Sequence, residues 1–123
     1  MYMTKWVLIA GGVLSAAAVI VGAFGAHALK AILDVKAMGW IETGVTYQST
    51  HALALIACGL MPTNKDVTRV AMLFIAGIVL FSGSLYLMAL TGITKLGIIT
   101  PIGGVLLISG WIAFCWMAWS QER

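Results

Sequence analysis

Charged residues divide this sequence into four long apolar runs. The runs occupy residues 6–29, 43–61, 70–94 and 98–120, and none of them contains Lys, Arg, Asp or Glu. Lys95 separates the third run from the fourth. A bilayer core about 30 Å thick is crossed by roughly 20 helical residues, so each run is long enough to span it. Hydrocarbon offers no outside hydrogen-bond partners, and the backbone must therefore be helical. The pattern predicts an all-α integral membrane protein in which residues 1–123 form one four-transmembrane-helix bundle.

The segments between the runs predict how the helices are joined. Residues 30–41 mix apolar side chains with charged ones, which favours a short interfacial helix between the first and second helices. Pro62 cannot continue the second helix, and Asn64 or Thr63 is placed to cap the third. An aromatic belt is predicted from four tryptophans near the span ends, namely Trp6, Trp40, Trp116 and Trp119.

Composition indicates that lipid is the natural solvent of this chain. The sequence is 62% hydrophobic and 9% charged, whereas an ordinary soluble domain is about 25% charged. A chain of 123 residues has too little interior to hide so much apolar surface from water. The net charge of +3 comes from scattered Lys and Arg rather than from a basic stripe, which argues against a nucleic-acid partner.

The basic residues give a slight preference for one membrane orientation, because cytoplasmic loops carry an excess of Lys and Arg. A cytoplasmic N-terminus places one set of basic residues inside, namely Lys5, Lys65, Arg69 and Arg123. The smaller set then lies outside, namely Lys30, Lys36 and Lys95. We therefore expect both termini to be cytoplasmic.

The sequence Ala26-His27-Ala28 fits the A-x-A pattern that signal peptidases cut. A cleavable signal has an apolar core of about 7 to 15 residues, whereas the apolar run here continues unbroken from residue 6 to residue 28. We interpret the match as accidental and expect the first run to remain as a transmembrane helix.

Small residues recur at helical spacing and predict close helix packing. Ala18, Gly22 and Ala26 form a small-xxx-small row on the first helix. In lipid, such a row lets two helix backbones approach closely. The full packing set predicted from such positions is Ala18, Gly22, Gly25, Ala26, Gly83, Gly103 and Gly104. We expect packing within the chain, with a homo-oligomer face as the alternative.

Polar residues are few and concentrate around the first and second spans. Thr43, Tyr47 and His51 are spaced four apart and share one helix face, with Gln48 beside them. Ionisable side chains at membrane depth face the bundle interior, find partners there and mark functional sites. The candidate polar site or helix–helix hydrogen-bond cluster consists of His27, Glu42, Thr43, Tyr47, Gln48, His51, Ser82, Ser84 and Tyr86.

The two histidines are expected at different depths in the membrane. Helical rise separates them by about 9 Å of depth, which is too far for a single metal ion or haem iron. We predict a polar ladder in which His27 meets Glu42 or Tyr47 near the surface, while Gln48 and His51 lie deeper. Hydrogen bonding between helices is the first interpretation. A proton or small-solute pathway or a head-group pocket is the second, and metal or haem ligation is the third.

No catalytic constellation can be assembled from the sequence. His51 follows Ser49 and Thr50, but residues one or two apart on a helix point in different directions. Cys58 and Cys115 lie in apolar runs as small hydrophobes, without the CxxC or Cys/His spacing that zinc requires. We therefore expect no enzyme activity, no catalytic residue, no metal and no cofactor.

Four motifs give the chain a resemblance to one known family. They are GAFGAHALK at 22–30, TGVTYQSTHALAL at 43–55, FSGSLYLMALTG at 81–92, and ITPIGG at 99–104 with GW at 110–111. In this order they resemble the small four-helix bacterial inner-membrane family catalogued as domain of unknown function 423, which has distant mitochondrial relatives. The resemblance implies a multi-pass protein of the bacterial inner (plasma) membrane without an established reaction. Gly44 departs from the alanine expected at its position.

The sequence thus predicts a non-enzymatic small integral membrane protein that supports membrane or envelope integrity, or acts as an accessory subunit of a membrane assembly. Its expected partners are membrane lipids and either further copies of itself or a larger membrane protein. The alternative is a small oligomeric transporter or channel with a pathway lined by His27, Tyr47, Gln48, His51 and Ser84. A haem- or quinone-binding redox subunit is a third option, which the colour of the purified protein tests.

Overall fold

The computed structural model describes residues 2–120, which fold into four long helices. These are α1 at Lys5–Leu29, α2 at Val35–Gly59, α3 at Lys65–Thr91 and α4 at Thr94–Ser120. Met3 and Pro62 form an isolated antiparallel bridge, and the described residues contain no longer β-structure. The all-α class predicted from the apolar runs is therefore confirmed for this part of the chain.

Three of these helices, α1, α3 and α4, are long and apolar enough to cross a membrane. Helix α2 has 25 residues, the same number as α1. It is less apolar because residues such as Glu42, Gln48 and His51 lie within it. The predicted span at 43–61 is thus present as a helix, but composition alone does not mark it as a membrane span.

The separate interfacial helix predicted for residues 30–41 is not confirmed. Residues 30–33 form a turn, and the Asp34 carboxylate accepts a hydrogen bond from the Ala37 amide at 2.8 Å. This bond caps the start of α2, which then continues past Glu42 into the apolar run. Residues 35–41 are consequently the first two turns of α2 rather than an element of their own.

The turn between α2 and α3 also holds the start of α1. Asn64 caps α3 as predicted, with its side chain accepting from the Val67 amide at 2.9 Å. Thr4 is 1% exposed; its hydroxyl donates to the Met61 carbonyl at 2.9 Å and lies 3.0 Å from the Thr63 hydroxyl. The start of α1 therefore lies beside the end of α2, as in an antiparallel hairpin.

The helices pack mainly in the order of the sequence, α1 on α2, α2 on α3 and α3 on α4. Helices α2 and α3 are therefore the inner pair, while α1 and α4 expose many apolar side chains. The larger core contains residues from all four helices. Its buried members include Val7, Leu55, Phe74, Leu107 and Met117.

The small residues predicted to pack helices together have different surroundings. Ala18 is buried, and a Cβ added at Gly22 would lie 2.9 Å from Val45 of α2. Gly103 lies directly against the backbone of Phe81 on α3. These positions allow the close approach that the small-residue rows predict. The other members of the set are less closely packed, namely Gly25, Ala26, Gly83 and Gly104.

Helix α1 changes its winding before its end. The stretch Ile20–Gly25 is π-helical, and the Ala26 amide bonds to the Val21 carbonyl. A π-helical turn holds an extra residue, so the side chains that follow are rotated relative to an uninterrupted α-helix. His27 lies directly after this stretch. Its direction therefore does not follow from the α-helical spacing of the small residues before it.

Candidate functional site

Hydrogen-bonded polar side chains connect the inner helices of the molecule. We call this group the polar cluster; its members are Gln48 and His51 of α2, Ser82 and Tyr86 of α3, and Trp111 of α4. Gln48, His51 and Ser82 are buried. The cluster links α2 to each of the other three helices, since Gln48 also reaches α1.

Gln48 connects three helices through one amide group. Its Nε2 donates to the Leu14 carbonyl of α1 at 2.8 Å, and its Oε1 accepts from the Tyr86 hydroxyl of α3 at 2.7 Å. The residue is 4% exposed. A primary amide has a donor side and an acceptor side, so it can bond a carbonyl and a hydroxyl at once. Gln48 therefore fixes the register of α2 against both neighbours.

His51 uses both ring nitrogens within the protein. Its Nε2 lies 3.0 Å from Trp111 Nε1, and its Nδ1 lies 2.7 Å from the Tyr47 carbonyl. An indole N–H is a donor only, so Nε2 accepts and Nδ1 carries the proton that is donated to the carbonyl. The ring also packs against Phe74, with 5.5 Å between ring centroids. His51 is thus a neutral imidazole that joins α2 to α4.

Two serines of α3 make further helix–helix bonds. The Ser82 hydroxyl donates to the Gly44 carbonyl of α2 at 2.7 Å. The Ser84 hydroxyl donates to the Phe81 carbonyl of its own helix and lies 2.6 Å from the Thr100 hydroxyl of α4. A buried hydroxyl needs such partners because an unpaired one is costly in an apolar environment.

Gly44 has a specific packing role at this site. A Cβ added there would lie 2.6 Å from Cε1 of Tyr86. The absence of a side chain lets the Tyr86 ring lie against α2, where its hydroxyl reaches Gln48. The glycine that departs from the expected alanine therefore accommodates one of the bonds of the polar cluster.

The remaining candidate residues lie at the surface of the described chain. His27, Glu42, Thr43 and Tyr47 are exposed. His27 and Glu42 line one cleft of about 640 Å³ between the end of α1 and the start of α2. Tyr47 packs its ring on Phe81, with 4.5 Å between ring centroids. The predicted ladder is thus divided into the buried polar cluster and a separate surface cleft.

Trp111 and Thr100 are partners in these bonds that the sequence pattern does not identify as such. A signal was available for Trp111, because it lies within the last span while the other tryptophans of α4 stand near its end. An indole N–H at such a position, away from the ends of the span, requires an acceptor. No comparable signal exists for Thr100, because nothing in its spacing identifies the Ser84 hydroxyl as its partner.

The arrangement uses its polar groups as cross-links between helices. Within residues 2–120, no three His, Cys, Asp or Glu side chains are grouped so that they could hold a metal ion. Apolar side chains cover the outer helices, and polar side chains of α2 bond to side chains of α3 and α4. This is the organisation of a helical membrane protein.

Comparison with known sequences then assigns the family. The chain belongs to the family described as protein of unknown function (DUF423), whose sequence profile matches residues 21–104. The predicted resemblance is therefore confirmed. No solved structure matches the chain.

Named relatives of the chain are membrane proteins of several bacteria. Over 110 residues it is 47% identical to a UPF0382 membrane protein of Staphylococcus saprophyticus, a match that covers 88% of this chain and 92% of that protein. It is 43% identical over 112 residues to the UPF0382 membrane protein YwdK of Bacillus subtilis, with coverage of 88% and 91%. It is 41% identical over 96 residues to the UPF0382 inner membrane protein YgdD of Escherichia coli, with coverage of 76% and 73%. These names give a location but no activity.

Proposed function

We propose that all four helices span a bacterial inner membrane. Helix α2 has 25 residues and is therefore about 37 Å long, which exceeds the roughly 30 Å of a hydrocarbon core. Two of its exposed hydroxyls have internal partners: Thr46 donates to the Glu42 carbonyl at 2.9 Å, and Thr50 donates to the Thr46 carbonyl at 3.0 Å. Its buried Gln48 and His51 bond to neighbouring helices. These bonds support α2 as a span despite its polarity.

In the proposed orientation both termini lie in the cytoplasm. The cytoplasmic end of the bundle then carries Lys5, Lys65 and Arg69, and the opposite end carries Lys30, Lys36 and Lys95. Arg123, which the positive-inside argument also assigns to the cytoplasm, lies outside the described residues. The relative from Escherichia coli, which is named an inner membrane protein, supports the choice of membrane.

Reporter fusions test the number of spans directly. Green fluorescent protein and alkaline phosphatase, each fused to either terminus, report cytoplasmic and periplasmic locations respectively. Four spans place both termini on the same side, and the proposed orientation makes both fluorescent fusions bright. Two termini on opposite sides would instead indicate three spans, with α2 excluded from the membrane.

We propose that the protein acts without enzymatic chemistry, as a structural element that supports membrane or envelope integrity or as an accessory subunit of a membrane assembly. One observation carries this proposal. The five buried polar residues in the described part of the chain, which are Thr4, Gln48, His51, Ser82 and Ser84, all hydrogen-bond to other protein groups. Polar groups engaged in this way stabilise a fold, whereas a reaction requires groups that are free to bind substrate.

Variants of the His51–Trp111 bond test the structural role. Trp111→Phe removes the indole N–H and keeps an aromatic ring, while His51→Ala removes the whole imidazole. Trp116→Phe is the matched control because Trp116 lies on the same helix, is exposed and makes no hydrogen bond to the polar cluster. Each variant is assayed for unfolding in mixed micelles and for rescue of a deletion strain under detergent stress.

If the role is structural, the variants that lose more stability should also rescue the deletion strain less well. We expect His51→Ala to be less stable than Trp111→Phe, and the control to resemble the original protein. A His51→Ala protein that unfolds normally but fails to rescue the strain would contradict the proposal.

The alternative function is a small oligomeric transporter or channel. Tyr47 favours this alternative, because it is 44% exposed beside the buried His51 and would line a path formed between copies of the chain. Proton or solute flux into liposomes that contain the purified protein tests it. Flux that Tyr47→Phe or His51→Ala abolishes without loss of fold would favour transport, and silence at all pH values tested would count against it.

A further inference from the structure

An open cleft at the end of the α1–α2 hairpin combines charged and apolar side chains. Its volume is about 640 Å³. His27, Lys30 and Glu42 supply its ionisable groups, and Leu33 and Met38 supply part of its apolar lining. Within residues 2–120, the structure gives these three ionisable side chains no hydrogen-bond or ion-pair partner. The ion pair found among the described residues lies on α3, away from the cleft. The three groups are therefore available to a ligand.

A second groove adjoins the cleft along the seam between α1 and α2. Ala26 and Glu42 line both spaces. The groove has a volume of about 310 Å³, and its walls include Gly22, Ile41 and Val45. Gly22 lies close to Val45, since a Cβ added there would lie 2.9 Å from the Val45 side chain. The cleft thus carries the charged groups, and the adjoining groove has a mainly apolar lining.

Nearby side chains assign the cleft to the head-group level of a membrane. Lys36 Nζ lies 5.6 Å from the centre of the Trp40 ring, and Trp and Lys favour the membrane interface. Glu42 follows Trp40 by half a helical turn and lies about 3 Å deeper. The groove beside Val45 is deeper again, at the level of acyl chains.

The charges of the cleft match those of a zwitterion. The Lys30 ammonium and an imidazole N–H of His27 are suitable donors to phosphate oxygens. The Glu42 carboxylate is a suitable acceptor for a primary ammonium group. The π-helical stretch before His27, a feature that is frequent at functional sites, rotates His27 relative to the α-helix that precedes it.

We propose that this cleft binds one phospholipid whose head group contains a phosphate and a primary amine, as in phosphatidylethanolamine. Lys30 and His27 bind the phosphate, and Glu42 accepts a hydrogen bond from the ammonium group. One acyl chain lies along the groove beside Val45. The bound lipid then becomes part of the α1–α2 seam at the membrane face opposite the N-terminus.

Native mass spectrometry of the purified full chain in detergent measures this binding. The probes are phosphatidylethanolamine, phosphatidylglycerol and phosphatidylcholine with identical acyl chains, and soluble glycerophosphoethanolamine. We expect one phosphatidylethanolamine to bind about tenfold more tightly than the other two lipids, because phosphatidylglycerol lacks the amine and phosphatidylcholine has no ammonium N–H. The soluble head group should not compete at concentrations equal to those of the lipid.

Charge variants separate the two halves of the site. Glu42→Gln should remove the preference for phosphatidylethanolamine, and Lys30→Gln should weaken binding of all three phospholipids. Lys95→Gln is the matched control, since Lys95 lies at the same membrane face and does not line the cleft. Equal affinity for the three lipids, or a preference that survives Glu42→Gln, would overturn the proposal.

A steric variant tests the cleft without changing charge. Gly39 lines the cleft, and an added Cβ there meets nothing within 4 Å, so Gly39→Leu should fill the space without disturbing helix packing. Gly12→Leu is its control because Gly12 also has open space and lies away from the cleft. We expect about tenfold weaker lipid binding for Gly39→Leu alone. Unchanged lipid binding by a folded Gly39→Leu protein would contradict this site, whatever the outcome for the His51 variants.

Discussion

The same substitution at two adjacent glycines of α4 should have very different effects. In Gly103→Ala, the added Cβ would lie 2.7 Å from Phe81 Cα and 2.8 Å from the carbonyl carbon of Leu80. In Gly104→Ala, the added Cβ would lie 3.7 Å from Phe81 Cδ2, which is an ordinary van der Waals contact. We expect the first variant to separate α3 from α4 and the second to be tolerated.

The size of the difference follows from these distances. Carbon atoms prefer separations of about 3.5–4.0 Å, so Gly103→Ala requires a shift of about 1 Å. The opposing atoms belong to backbone and cannot rotate away, and overpacking of this kind costs about 1–3 kcal/mol. Each variant also gains about 1 kcal/mol of helix propensity, and this gain cancels in the comparison. Gly103→Ala should therefore be less stable than Gly104→Ala by about 1–3 kcal/mol, or roughly 5- to 150-fold in the folding equilibrium.

Reversible unfolding in mixed micelles of dodecyl maltoside and sodium dodecyl sulfate measures the difference. Tryptophan fluorescence reports the transition, because Trp111 is packed between Phe74 and Phe114 in the native state. The two variants share chain length, composition and helix propensity, so each serves as the control for the other. Equal unfolding free energies would refute the close approach of α3 and α4 at Gly103.

Two hydrogen-bond predictions use the same unfolding assay. A double-mutant cycle of Gln48→Leu and Tyr86→Phe should give a coupling of about 0.6 kcal/mol, and at most about 1.7 kcal/mol; Tyr47→Phe, which alters an exposed ring, should change little. A coupling near zero would argue against the Gln48–Tyr86 bond. Thr4→Val should destabilise the protein by about 0.5–1.5 kcal/mol, because it removes the bonds that join α1 to the α2–α3 turn. Thr43→Val is the exposed control, and equal losses at both threonines would contradict that role.

Helix positions could be predicted from the sequence wherever a specific residue ends an apolar run. The prediction of 98–120 is close to the α-helical part of α4 at Ile99–Ser120, and Asn64 caps α3 as predicted. The start of α2 was harder to predict. The helix begins at Val35, eight residues before the predicted span, because charged residues bound the apolar run but do not end the helix.

The polar residues of α2 in the candidate site could be predicted from the sequence, but their hydrogen-bond partners could not. Helical spacing identified Gln48 and His51 as polar groups of α2 that require partners, and both are buried and bonded. Their partners depend on the rotation of α1, α3 and α4 around α2, which spacing within one helix does not determine. Sequence spacing also places His27 level with Glu42, and both residues line the cleft. The direction of His27 could not be predicted, because the π-helical stretch rotates the end of α1.

The polarity of α2 follows from its position between other helices. An outer helix presents much of its surface to lipid, where an unpaired polar group is costly, and α1 and α4 accordingly expose mainly apolar side chains. Helix α2 has neighbours that supply the Leu14 carbonyl, the Tyr86 hydroxyl and the Trp111 N–H. A hydropathy sum treats each residue as if it stood alone in lipid. It therefore underestimates how well a membrane accommodates a helix whose polar groups are bonded in pairs. A single substitution that removes one partner leaves the other partner buried and unbonded. Such a substitution should therefore destabilise the protein by more than the transfer free energy of the substituted polar residue alone.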